Sequence, residues 1–157
     1  MAWMLSRTSL AWPRLSVFEP KGTGTNIRQA LEYFNHVTKQ RSIAFLVSDF
    51  MDEGYDLILR IMSRRHDVIA VELSDPREER LPASGLIKFR DAESGAERWI
   101  DTGNPGVRKQ FESYWLAARA RRRNMFIKSK VDAIPIRVDR PYIKPIVDFF
   151  EARARRW

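Results

Sequence analysis

Apolar positions along the chain follow two periods. Ile27, Ala30, Leu31, Phe34 and Val37 fall at i, i+3, i+4, i+7 and i+10, the stripe of one amphipathic helix. Residues 43–47, "IAFLV", form a continuous β-prone run, which predicts a strand buried on both faces of a parallel sheet. That strand stops at Ser48 and Asp49, and "MDEGYDLILRIMSRR" predicts a helix with Asp52 as its N-cap. Residues 68–73 repeat the scheme as a second buried strand, halted by Asp75 and Pro76.

In "GLIKFRDAESGAERWIDT" the apolar Ile87 and Phe89 alternate with Lys88 and Arg90, and "DAESG" leads into a second short strand, a hairpin pattern. Val107, Phe111, Tyr114, Trp115 and Ala118 then mark a long helix. "VDAIPIRVD" gives a last strand with Ile134, Ile136 and Val138 on one face. Pro135 removes a ladder donor and so places this strand at an edge. A final helix follows from Tyr142, with Pro145 in its first turn, where the missing donor costs least. Strands alternating with helices predict an open α/β sheet with right-handed connections.

The 157 residues, 44% of them hydrophobic, suffice for one apolar core. The absence of cysteine excludes disulfides, thiolate metal sites and thiol catalysis, and it fits a reducing compartment. No apolar run approaches the roughly 18 residues of a membrane span, and the basic start "MAWMLSRTSLAWPRLSV" is too interrupted for an export signal. Residues 1–16 therefore read as a poorly defined amino-terminal segment, and the expected location is cytoplasmic. A net charge of +8 biases the surface toward anions. The charge gathers at Arg119, Arg121, Arg122 and Arg123 and again at Arg153, Arg155 and Arg156, both at or near the ends of helical patterns, where cations suit the helix dipole. No aromatic residues interleave these runs, which argues for solvated helix faces and against nucleic acid.

In an open α/β sheet the working crevice lies outside the carboxyl ends of the strands, which selects Asp49, Asp75 and Asp139. Asp75 and Asp139 have ordinary duties in turns and caps. With Asp52 assigned to the helix cap, Ser48 and Asp49 face the crevice without a structural duty. The loop "KGTGTNIRQAL" should bring Thr25 to the same edge, and a hydroxyl with a carboxylate is the hard-oxygen ligation that Mg²⁺ or Mn²⁺ prefers. The amides of Gly24, Thr25 and Asn26 at the helix start also offer an anion site. His36 and His66 lack metal-ligand spacing and read as structural. There is no nucleophilic triad and no Walker loop, since no lysine follows "GTGT".

The pairing of "GTNI..AL" with "RSIAFLVSDF" and "HDVIAV.L.DPRE..LP..G", continued in "VDAIPIRVDRPYIKPIVDFFEARARR", resembles the carboxyl-terminal half of bacterial von Willebrand factor A-like proteins of the domain-of-unknown-function 58 family. The likeness covers roughly residues 17–157, which marks them as a partial domain of that type. It implies a Rossmann-like, mostly parallel sheet with flanking helices and an inserted hairpin, lacking the amino-terminal strands. It implies a metal-ion-dependent adhesion site in which Thr25 and Asp49 are ligands, with Ser48 and Asp75 of second rank. The site's principal segment, Asp-x-Ser-x-Ser, is absent from this sequence, so the expectation is an incomplete site binding Mg²⁺ or Mn²⁺ weakly. The resemblance further implies a non-enzymatic protein-interaction module acting with a MoxR-type AAA+ ATPase. Two rival readings are a metal-assisted phosphate hydrolase using Asp49 and Asp52, and a basic nucleic-acid-binding domain. Because the strand at residues 43–47 lacks its central neighbour in such a fold, the chain is expected to be truncated and to self-associate through an exposed strand edge.

Overall fold

The computed structural model describes residues 3–6, 26–90 and 95–155. Four strands, β1 (Trp3–Ser6), β2 (Ile43–Ser48), β3 (Asp67–Ser74) and β6 (Asp132–Arg137), make one sheet in that order. β2, β3 and β6 run parallel, and β1 is antiparallel to β2 with Trp3 opposite Val47 and Ser6 opposite Ala44. This is the mixed α/β, mostly parallel architecture that the alternating pattern predicts. β6 pairs with β3 alone among the described residues, so Pro135 sits at an edge as expected. β2 has a neighbour on each side, but one of them comes from the first six residues, which carry no clear strand pattern.

The chain divides into two compact units. The first, Met1–Ser74 with Arg123–Trp157, contains the four-stranded sheet. One sheet face is covered by α1 (Ile27–Val37), α2 (Asp56–Arg65) and the end of α4 (Pro105–Ser129): Ile27, Leu31, Phe34, Leu59, Met62 and Phe126 close over Ala44, Leu46, Val68 and Ala70. The other face carries α5 (Ile143–Ala154), whose Ile146 and Phe149 meet Ile69, Val71, Ile134 and Ile136. The expected burial of β2 on both faces is corrected here. Ala44, Leu46 and Ser48 are buried, whereas Ile43, Phe45 and Val47 are half-buried, because α5 covers the second face where α1, α2 and the end of α4 cover the first. Val138 is also corrected: it lies beyond β6 and is exposed.

The second unit, Asp75–Arg122, holds α3 (Pro76–Glu79), the hairpin β4 (Leu86–Arg90) and β5 (Glu97–Asp101), and most of α4. Thr102, fully buried, closes the hairpin's base: its hydroxyl donates to the Gly85 carbonyl at 2.7 Å, and its own carbonyl accepts from Arg108 at 2.6 Å. The inserted hairpin is thus present. The arginine run 119–123 is not at a helix end, because α4 continues to Ser129 and stops only where Lys130 turns into the left-handed region, φ +54°. Within the run, Arg119 stands 4.0 Å from Glu79 of α3 rather than at the helix terminus.

His66 ends α2 and is buried, its ring edge-on to Phe34 at 5.2 Å, with neither ring nitrogen hydrogen-bonded among the described residues. Burial, and then the neighbouring Arg65, pushes its pKa below the usual value. A lowered folded-state pKa means the unfolded chain binds the proton more readily. Stability should therefore be unaffected above pH ~6.5 and decline as pH falls below it. Denaturant titrations from pH ~7 to ~5 should show this decline, and His66→Leu should flatten it; an equal slope in the variant would assign the effect elsewhere.

Candidate functional site

At the carboxyl end of β2 the backbone makes an abrupt reversal. Ser48 is 1% exposed, and its hydroxyl accepts the Phe50 N–H at 3.1 Å while donating to Asp49 Oδ1 at 3.3 Å. Phe50 takes φ +56°, a left-handed conformation costing a non-glycine residue about 1–2 kcal/mol. The strain is repaid by packing: the buried Phe50 ring lies 5.0 Å from Phe126 and 6.2 Å from Tyr55. With Phe50 turned inward, Asp49 is left exposed at the strand tip, its Oδ1 also accepting the Met51 N–H at 3.2 Å. Asp49 thus has a structural duty in this turn. Its second carboxylate oxygen has no protein partner among the described residues.

Asp52 does not cap the helix that follows it. α2 starts four residues later, at Asp56, and its N-cap Tyr55 makes no side-chain hydrogen bond. Gly54, at φ +78°, turns the chain between them. Asp52 reaches back instead to α1, accepting the Ile27 N–H at 2.7 Å through Oδ2 and the Glu53 N–H at 2.7 Å through Oδ1. Nothing local in the sequence signals this pairing, because the partners are 25 residues apart. Its effect is to fasten the start of α1 to the turn that presents Asp49. Thr25 and Gly24 themselves lie outside the described residues. Asn26 is the N-cap of α1, its side chain accepting the Gln29 N–H at 2.8 Å. The Ile27 and Gln29 amides are therefore committed to protein oxygens rather than to an anion. Asp52→Ala should cost about 1–2 kcal/mol in urea denaturation, the value of a helix cap; an unchanged midpoint would mean that the link does not hold α1.

The other carboxylates follow their structural readings. Asp75 caps α3 in the second unit through the Arg77 N–H at 2.9 Å. Asp139 takes two hydrogen bonds from Arg137, at 3.0 and 2.8 Å, which hold its carboxyl below the usual range. His36 is exposed on α1. Among the described residues no three His, Cys, Asp or Glu side chains gather as a metal site. Magnesium prefers about six oxygens in octahedral array. Of the described residues at this edge the exposed Asp49 carboxylate is open toward one, whereas Ser48 is buried with its hydroxyl engaged by Phe50 and Asp49, a partial fit.

Fold and site together define an α/β chain with a mostly parallel sheet and a hydroxyl–carboxylate pair at the carboxyl edge of a central strand. The sequence profile of DUF58, a family described as "Protein of unknown function DUF58", matches residues 6–124, and the chain belongs to that family. It is 30% identical over 137 residues to the uncharacterized protein Rv1480 of Mycobacterium tuberculosis, with 87% of this chain and 43% of that protein aligned. The same figures hold for the uncharacterized protein Mb1516 of Mycobacterium bovis. It is also 30% identical over 152 residues to the uncharacterized protein MAV169 of Mycobacterium avium, covering 96% of this chain and 87% of that one. The chain thus spans less than half the length of the M. tuberculosis and M. bovis relatives. No solved structure matches it. Among the described residues no helix is long and apolar enough to cross a membrane.

Proposed function

We propose that this chain is a non-enzymatic protein-interaction module of the von Willebrand factor A-like type, acting in the cytoplasm with a MoxR-type AAA+ ATPase. The observation that carries the reading is the Ile27 N–H to Asp52 hydrogen bond, which gathers the start of α1, Ser48 and Asp49 at one sheet edge. In an adhesion-type site a loop hydroxyl and a strand-tip carboxylate are the groups that meet there, and Thr25 and Asp49 take those roles in this reading. Asp52 has both oxygens engaged by backbone N–H groups, which supports a positioning role over that of a hydrolytic base.

Two ligands leave most of a magnesium shell to water. Calorimetry should therefore show little heat even at millimolar Mg²⁺ or Mn²⁺, with no metal-dependent phosphatase or nuclease turnover. Saturable binding at micromolar metal, lost in Asp49→Ala, would reveal a fuller ligand set. The reading itself is tested by co-purification with the MoxR-type ATPase of the same genome. Capture weakened by Asp49→Ala, in a variant that melts like the parent, is the expected result, and no capture by the parent chain overturns it.

A further inference from the structure

We draw no further inference here: the strongest candidate, the open apolar groove between α5 and the sheet, lined by Phe45, Val47, Leu73, Ile136, Ile146 and Phe150, is an unpartnered face, and nothing among the described residues shows what covers it.

Discussion

Phe50→Ala should lower the unfolding free energy by about 3–5 kcal/mol, the usual cost of truncating a buried phenylalanine, because the ring is 2% exposed and wedged between Phe126 and Tyr55. The more telling comparison is with glycine. At most positions glycine is less stabilising than alanine, since it surrenders more backbone entropy on folding. At φ +56° the order should invert. Alanine loses the ring and keeps the left-handed strain of about 1–2 kcal/mol, whereas glycine loses the ring and the strain together. Phe50→Gly should therefore be the more stable of the two by about 1 kcal/mol. Paired denaturant titrations with equal m-values decide it, and alanine equal to or above glycine would show that the backbone at Phe50 is relaxed. Both variants should also loosen the Ser48 hydroxyl, which the Phe50 N–H holds at 3.1 Å. The strand tip that presents Asp49 is thus stabilised from the core side.

How far the sequence carried depends on whether each feature is local. β2 and β3 were legible because continuous apolar, β-prone runs have one economical explanation, whereas their register, Ile43 opposite Asp67, is set by the pairing itself. Pro135 disclosed an edge because a missing N–H is a property of the residue itself. The features that escaped depend on distant partners. Asp52 has the sequence context of a helix cap and is one, but for the helix 25 residues earlier. Trp3–Ser6 has no alternation to betray a strand and is defined by its pairing with β2. The arginine run sits past the last apolar position of the helical stripe, Ala118, which places it near a helix end by periodicity alone; nothing between Arg123 and Lys130 breaks the helix, and a lysine in the left-handed region is a stop without a sequence signature. At the candidate site, Ser48, Asp49 and Asn26 were placed by the strand and helix ends. Their hydrogen bonds were not, since these turn on the strained Phe50.

By sequence Arg153 belongs to a solvated cationic helix end, and its surroundings predict a larger role. It lies in the last turn of α5, where cations suit the dipole, and Nη2 donates to both oxygens of Asp67 at 2.6 and 2.7 Å. Nη1 stands 3.9 Å from Asp132, and the guanidinium carbon sits 5.9 Å from the Phe149 ring. One side chain thus ties α5 to the first residues of β3 and β6. An exposed pair of this kind would contribute at most about 1 kcal/mol. Here the side chains of Arg153 and Asp67 are only 21% and 30% exposed, so screening is incomplete. Arg153→Met keeps the apolar stem and leaves the Asp67 and Asp132 carboxylates without their shared cation. The loss should be about 2–3 kcal/mol, between the surface and fully buried cases. Arg153→Lys should restore a minor part, since an ammonium cannot reproduce the planar fork or its stacking on Phe149. Adding Asp67→Asn to Arg153→Met should recover more than lysine does, because it removes the stranded charge. Hydrogen exchange should show the loss first in α5. A cost below about 0.5 kcal/mol would return Arg153 to the class of solvated surface charges.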